Sequence, residues 1–582
     1  MLIRLLSIIC ILYSSSLVGQ EGLSFYEIKA IVIDKETTTP LPYATIFNRQ
    51  QLTGTATNEN GYFELPACKL GDTLLISYLG YEEYIYMVSN PSPQTIALAP
   101  NTLFIDEITI TADDNYLYDM LSKVSKNKRT KSKTAKTYFY LESELLDSQV
   151  EIIEAYYNGE YTDHTIEELH IKKGRIASRP FDNKYFLSAE SSKLFSMHNL
   201  FERRKDFPIN PFSLGKRALK KKYFLDLIEK YKQGDSEIYV ITYKPRNTNN
   251  NAFQGTIWID RNRKELKKIH LSITDTAIHP FIPWPSKENE ILQVDMDITK
   301  TYSTIDSEAF LDGIDFIYNF KYLDRLKQEV SVKTQAYLKP YDYNASFSIP
   351  MFDFSKQLFG LEDYRDMSVA PYDSIFWNNV NEFRLFEKIN MVDSFMEDNY
   401  MSGGKLITAE SDEKLQLEFP YLIWNKDRIE MKEAPPKVIT RSMKTKEYEA
   451  DRYHLNIKLY MDCNTISDFY NCQTVAILDP VDSYFHFYMT NTELAFINMN
   501  FDLMEIQRRK LEEEINSLTQ EDLEKRKELH NKNIKAYQDL RKQFVRETNR
   551  GKKYTAMKKW NLYILDQLEV DNFKVFDLYD KK

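Results

Sequence analysis

Between Thr137 and Pro340 the apolar residues recur at every second position, and this alternation constrains the chain more than any other feature of it. Phe253, Gly255, Ile257 and Ile259 share one parity. So do Ile269, Leu271 and Ile273, then Leu292, Val294, Met296 and Ile298, and later Val330, Val332, Ala336 and Leu338. Polar residues mostly take the other parity. A period of two puts successive side chains on opposite faces of a strand, so the pattern predicts a large antiparallel sheet with one wet face. The 40 Tyr and 34 Phe of the chain suit such a sheet. Two segments break the period. Tyr116–Asn127 has Leu117, Met120, Leu121 and Val124 at helical spacing, and Arg217–Lys232 looks helical. We therefore expect one curved sheet whose apolar face carries Ile257, Ile269, Leu271, Val294 and Ile298. Either a helix fills that face, which makes the domain a scaffold, or the face is open to an apolar ligand. Leu271→Asp should unfold the domain, and His270→Asp, on the other parity, should be nearly neutral.

At 582 residues the chain is too long for one core, and two to four domains are expected. The first nineteen residues have a basic residue, Arg4, an apolar run from Leu5 to Tyr13 and small residues up to Gly19. That order describes a secretory signal at 1–19, cleaved near Gly19 or Gln20, because the apolar run is too short to span a membrane. Cys10 lies within the run and lacks the setting of a lipidated cysteine. No later stretch is long and apolar enough for a transmembrane span. The expected location is therefore exported, in the periplasm or associated with the outer membrane. A net charge of −10 argues against nucleic acid as a partner. Among the remaining cysteines, Cys463 and Cys472 enclose a short loop and could form a disulfide. The parity of Cys463 with Leu455, Ile457, Leu459 and Met461, set against Val475 and Ile477 on the returning strand, speaks for separate thiols. Both readings stand at this point.

Residues 24–100 hold short strands separated by turns. They include Ile28–Ile33, Tyr43–Phe47, Tyr62–Leu65, Leu74–Tyr78 and Tyr81–Val88, with a turn at Thr57–Gly61. Such spacing predicts an all-β sandwich. Val32-x-Asp34, Thr39-Pro40-Leu41-x-x-Ala44-x-Ile46, Gly54-Thr55-x-Thr57-x-x-x-Gly61-x-Phe63-x-Leu65 and Leu75-x-Ser77-x-x-Gly80-Tyr81 together resemble the carboxypeptidase-regulatory-like domain. The resemblance implies a transthyretin-like β-sandwich of the kind common in Bacteroidetes envelope proteins, acting as an accessory module without peptidase activity. Two positions depart from the family: Ala30 replaces a usual Gly, and Asn58 a usual Asp. Leu103-x-x-x-Glu107-Ile108-x-Ile110-x-Ala112 resembles the junction that follows this domain in larger outer-membrane proteins. Phe253-x-Gly255-x-Ile257-x-Ile259-Asp260 with Leu266–Ile273 resembles, in pattern alone, the half-barrel of lipoprotein carriers, in which a sheet wraps a lid helix and holds acyl chains.

Few residues of the sequence fall into patterns that carry chemistry. His164-x-x-Glu167, with His270 or His279 downstream, has zinc-ligand residue types. The residues that surround the first histidine in metallocarboxypeptidases are missing, however, and His270 falls on the polar parity. Asp295 and Asp297 share a strand face and read as solvated carboxylates. Nucleophile-elbow, metalloprotease, Walker and dinucleotide motifs are not found. No catalytic, cofactor-binding or metal residue is named, and no cofactor is implied. The basic run Lys123–Lys136 reads as a solvated helix end and linker, with a patch that touches anionic lipid or lipopolysaccharide as the alternative.

The last third turns helical. Residues 341–450 are irregular, with breakers at Ser402-Gly403-Gly404 and Ala434-Pro435-Pro436. Leu455–Met461 and Thr474–Leu478 look like strands, and Tyr484–Met489 is aromatic. Leu494–Leu518 reads as a long helix charged on one side. Thr519-x-x-Asp522 looks like the capping-box start of a second helix, and a third is lined by Tyr554, Met557, Trp560, Ile564 and Leu568. No train of membrane strands closes the chain as a barrel. The expected organisation is multi-domain and mainly β with α: signal 1–19, β-sandwich 20–112, half-barrel-like antiparallel sheet 113–345, irregular connection 346–450, and an α+β region 451–582 ending in helices. The expected function is a non-enzymatic binding or scaffold protein of the cell envelope, whose partner is an envelope protein or an apolar ligand. A periplasmic lipid or lipoprotein carrier is the alternative, and a metal-dependent hydrolase a distant third.

Overall fold

The computed structural model describes residues 26–579 except 43, 51–52, 59, 90–93, 102–114, 127–131, 163, 180–187, 234–235, 248–250, 282–289, 306–307, 325, 344, 353–362, 364–365, 368–371, 380–421, 427, 430–452, 467–468, 486–489 and 519–521. The signal at 1–19, the junction at 103–112, most of the irregular connection with its Gly and Pro breakers, Thr519 and the terminal Asp580-Lys581-Lys582 lie outside the described residues. The chain divides into two compact units, one up to residue 103 and one from 104 onward. No described helix is long and apolar enough to cross a membrane.

Among its described residues the first unit has seven short strands: β1 (Tyr26–Asp34), β2 (Thr45–Asn48), β3 (Thr53–Ala56), β4 (Tyr62–Cys68), β5 (Thr73–Ser77), β6 (Tyr84–Met87) and β7 (Gln94–Leu98). They form a β4-β1-β7 sheet and a β3-β2-β5-β6 sheet. Ile28, Ala30 and Val32 from one sheet share a core with Ile46, Leu74 and Ile76 from the other, which is the expected sandwich. The turn before β4 shows why this sequence makes it. Gly61 has φ of +72°, and a Cβ there would lie 2.5 Å from the Val32 carbonyl oxygen. Asn58 Oδ1 accepts from the Asn60 and Tyr62 N–H groups at 2.9 and 3.0 Å. An aspartate would accept the same bonds, so the departure at Asn58 leaves the turn intact.

The second unit is built on ten antiparallel strands: β8 (Lys133–Leu145), β9 (Ser148–Tyr161), β10 (Ile166–Ser178), β11 (Tyr223–Gln233), β12 (Ser236–Pro245), β13 (Gln254–Asp260), β14 (Glu265–Ile273), β15 (Glu290–Ile305), β16 (Glu308–Leu323) and β17 (Glu329–Tyr343). Their order is β10-β9-β8-β17-β16-β15-β14-β13-β12-β11. Bulges interrupt most pairings, and each one bends its strand. One bulge corrects the expected face of Leu292. The β15–β16 register shifts between Ile291 and Gln293, which turns Leu292 outward and leaves it exposed. Arg217–Lys232 is also corrected. A short helix ends at Lys222, and Tyr223 begins edge strand β11, in which Tyr223 and Leu225 point into the core.

The wet outer face holds for part of the sheet only. On β8–β10 the outer side chains Tyr138, Glu154, Tyr156 and Arg175 are buried as well. A short helix, α4 (Ser374–Asn379), covers them. Its Phe376 ring lies 5.4 Å from Tyr156, and its Trp377 ring 4.6 Å from the Arg175 guanidinium. The buried charges there are paired, because Glu154 takes Arg175 at 2.6 Å and the Tyr138 hydroxyl at 2.9 Å.

The C-terminal hairpin joins β19 (Tyr453–Ile466) to β20 (Phe469–Phe485), with β18 (Leu422–Ile423) added alongside β20. Cys463 and Cys472 are bonded in a disulfide. The parity argument against it is corrected by the register. Ile466 pairs with Phe469, so odd residues of β19 face even residues of β20, and Cys463 sits opposite Cys472. Both faces of the hairpin are buried. Leu459, Cys463, Ala476 and Leu478 pack towards the helices, while Tyr460, Val475 and Ile477 join the core of the large sheet.

The helices are α5 (Asn491–Ile515), α6 (Leu523–Glu547), α7 (Tyr554–Leu568) and α8 (Asn572–Val575). Here too the expectation is corrected. The capping box lies at Thr490 and Glu493 of α5, and Asp522 makes no side-chain cap on α6. From Ala495 to Gln507 α5 is buried on all sides, polar residues included. Asp502 is held there by Arg428 at 2.7 Å, Trp424 at 2.8 Å and Asn572 at 2.7 Å.

Candidate functional site

The topology itself decides what lies on the inner face of the large sheet. The chain leaves β10 at one edge and re-enters as β11 at the opposite edge. The described part of the connection, residues 188–222, lies against that face. The crossover contains α2 (Ala189–Ser196), a 3-10 turn (Pro211–Ser213) and α3 (Lys216–Lys222). Phe195 of α2 stacks on Phe316 and Tyr318, each at 5.2 Å between ring centroids. Leu200, Phe207, Phe212 and Leu219 follow it into the same core, as do Leu117, Leu121 and Val124 of α1 (Asn115–Lys126). Ile257, Ile269, Leu271, Val294 and Ile298 are the expected inner residues, and each is 0% exposed. Of the two expected states of this face, the filled one is present.

The two ends of α2 rest on buried ionisable groups. At the N-terminal end the Glu151 carboxylate accepts from the Ser188 N–H at 3.2 Å, from the Ser188 hydroxyl, and from the Ser143 hydroxyl at 3.3 Å. At the C-terminal end Lys300 Nζ donates to the carbonyls of His198 at 2.6 Å and Ser196 at 3.3 Å. An anion at the start and a cation at the end both suit the helix dipole. Burial opposes both charges. It pushes the Glu151 carboxyl up to about 7, against the hydrogen bonds from Ser188 and Ser143. It pushes the Lys300 ammonium down to about 7. His198 is also buried and stacks on Phe207 at 4.3 Å. Burial and then the nearby Lys300 charge lower it to about 3, so it stays neutral.

A cleft of about 260 Å³ opens along β10, the edge strand of the sheet, between Leu169–Gly174 and a segment carrying Ile349, Pro350 and Phe352. Beneath it Lys172 Nζ donates to Asp462, to the Ser348 carbonyl at 2.6 Å and to the Cys463 carbonyl at 3.0 Å. Lys173 pairs with Asp462 at 2.5 Å and Asp373 at 3.2 Å. On the rim Lys193 pairs with Asp363 at 2.8 Å. The lysines below are occupied in tying the hairpin to the sheet edge. The cleft thus combines apolar walls with paired charges, an arrangement suited to binding.

The structure does not assemble the zinc-type residues. His164 is buried against Phe201, with 4.6 Å between rings, while Glu167 is exposed. His270 Nε2 lies 2.8 Å from Asp297 on the outer face, and His279 packs by Phe281. Asp295 accepts the Asp275 N–H at 2.9 Å and the Gln293 amide, so the two aspartates have separate partners. One cluster escaped the sequence reading. Glu160, Glu168 and His170 bring their ligand atoms within 4.8 Å of one another, all exposed. The signal for it was Glu-x-His on β10 opposite Glu160 on β9, which requires knowing the hairpin register. Glu151, Lys300, Lys172 and Lys173 were missed because period two assigns a parity, and parity alone does not place a buried charge.

Residues 28–110 match the CarboxypepD_reg-like domain family. No curated protein matches the chain. Among solved structures, MucB is 9% identical with a TM-score of 0.16, covering 40% of this chain and 94% of that one. A putative outer membrane lipoprotein-sorting protein domain from Vibrio parahaemolyticus is 9% identical with a TM-score of 0.17, covering 43% and 97%. A LolA superfamily protein from Nitrosomonas europaea is 10% identical with a TM-score of 0.14, covering 38% and 93%. Likenesses at this level describe those proteins and lend no weight to a reading of this chain.

Proposed function

We propose that this chain is an exported cell-envelope protein that acts by binding and scaffolding rather than by catalysis. The observation that carries the scaffold reading is the crossover lying across the inner face. Five inner strand residues, Phe195 and the segment after it make one continuous core. Burying each such side chain contributes roughly 1.5–3 kcal/mol, so the chain supplies its own occupant where a carrier would keep an open groove. The matched accessory module at 28–110 supports the envelope setting. Binding then falls to surfaces outside that core, including the cleft along β10.

The test has two parts. N-terminal sequencing of protein recovered from the envelope fraction should begin near Gln20, and an intact Met1 in the cytosol would overturn export. Native mass spectrometry of the same material should show the polypeptide without stoichiometric lipid. A bound acyl lipid that disappears on substitution of Phe195 would favour the carrier instead.

A further inference from the structure

Arg541–Trp560 contains eight basic residues and a single acidic one, Glu547, in a chain whose net charge is −10. The fold gathers these charges at one corner. Asn549, Arg550 and Gly551 take φ values of +48°, +56° and +83° in succession, and this tight turn folds the end of α6 back onto α7. The two helices lock through Phe544 and Trp560, with rings 5.4 Å apart, and through the Trp560 indole N–H donating to Glu547 at 2.9 Å. The Glu547 carboxyl is held below its ordinary range by hydrogen bonds from Gln543 and Trp560, and then by the charges of Lys559 and Arg546. The charges of Arg546 on α6 and Lys559 on α7 both act on this carboxylate.

Arg546, Lys552, Lys553, Lys558 and Lys559 are exposed. Among the described residues none of the five forms an ion pair. The contrast lies at the other end of α6, where Lys527 pairs with Glu524 and Lys532 with Glu514, each at 2.6 Å. An apolar side chain and an aromatic ring, the latter with its hydroxyl donating to Asp571 at 3.0 Å, stand in the same corner. Leu562, one turn beyond Lys558 and Lys559 on α7, is 52% exposed, and Tyr579, whose ring lies 5.5 Å from Lys558 Nζ, is 42% exposed.

We propose that the α6–α7 corner docks the protein on an anionic lipid surface, with the basic residues meeting headgroup phosphates and with Leu562 and Tyr579 entering the interface. The choice of a membrane over an acidic protein rests on the envelope reading and on these exposed side chains. At physiological salt, charge–charge forces fade over roughly 8 Å, so a local patch outweighs the acidity of the distant surface.

The experiment measures partition of the full chain onto vesicles of phosphatidylcholine alone and of phosphatidylcholine mixed with phosphatidylglycerol. Binding should require the anionic lipid and fall at high salt. A basic residue near such a surface is worth about fivefold in partition. Lys552→Glu with Lys558→Glu should therefore lower binding by about a hundredfold or more. Lys525→Glu with Lys535→Glu, the same charge change on the far part of α6, should lower it far less. Leu562→Ser should cost several-fold without changing the salt dependence. Circular dichroism establishes that each variant is folded before it is compared. Equal binding to both lipids, equal loss from the two double substitutions, or binding to polyglutamate without binding to vesicles would overturn the proposal. Export without vesicle binding sinks the docking site and leaves the envelope reading intact. Anionic-vesicle binding by a chain found only in the cytosol sinks that reading and leaves the site.

Discussion

Glu151 and Lys300 sit under opposite ends of one helix, and burial works against the charge on each. Their effects on stability run in opposite directions along the pH axis. Glu151, raised to about 7 from 4.5, takes up a proton on folding. Its stabilising contribution is full below about 4.5 and is lost as pH rises through 7. Lys300, lowered to about 7 from 10.5, releases a proton on folding. Its contribution is full above about 10.5 and is lost as pH falls through 7. Taken together, these two groups predict a stability minimum near neutrality, the acid limb worth about 3 kcal/mol and the alkaline limb about 5 kcal/mol. Urea unfolding across pH should show the dip. Glu151→Gln should flatten the acid limb and Lys300→Met the alkaline one, and a dip that survives both substitutions would exclude this cause. A second prediction separates the two faces of β14. Leu271→Asp places a charge in a fully buried site and should abolish cooperative folding. His270→Asp would set a carboxylate against Asp297, so it should cost about 1 kcal/mol rather than nothing, and His270→Asn should be nearly neutral. Equal effects at the two positions would contradict the face assignment.

At the scale of elements, the hairpin β19–β20 shows where alternation misleads. A strand buried on both faces is apolar at both parities, so parity no longer says which residues are opposed. Only the turn register brings Cys463 opposite Cys472. Closing so short a loop contributes roughly 2–3 kcal/mol in the chain-entropy model. Cys463→Ser with Cys472→Ser should lower the unfolding free energy from urea titration by that amount, and a reducing agent should do the same to the native chain. No change with either would mean that the bond constrains nothing in the unfolded state. The strands of the sheet itself were legible, since Ile257, Ile269, Leu271, Val294 and Ile298 lie where period two puts them. Leu292 was not, because a single bulged residue inverts a face without altering the pattern. Tyr223–Gln233 was misread because lysines crowd its start, and edge strands tolerate charge.

For the whole molecule, the module at the start was legible because its turns need particular residues at fixed offsets, Gly61 above all. It has its own core and belongs to its own compact unit. A segment spanning residues 24–100 should therefore melt cooperatively with a β-type circular dichroism spectrum, and a disordered spectrum would refute its independence. The candidate site was less legible, since what fills the inner face follows from strand order, and strand order leaves no mark on local pattern. That same order carries a consequence in time. β8, β9 and β10 can pair as they emerge, and so can β11 to β17, because every contact within those two groups is between neighbours in the chain. The seam between β8 and β17 is different. Ser143 and Thr334 bond across it at 2.9 Å from positions 191 residues apart. Closing so long a loop is entropically costly before it is rewarded. Folding should thus proceed as two hairpin arrays that zip together last, with the crossover already lying between them. In pulsed hydrogen exchange during refolding, the β8 and β17 amides that face each other should be the last of the sheet to gain protection. A ribosome still holding β17 would leave the two arrays waiting as an open-sided pair.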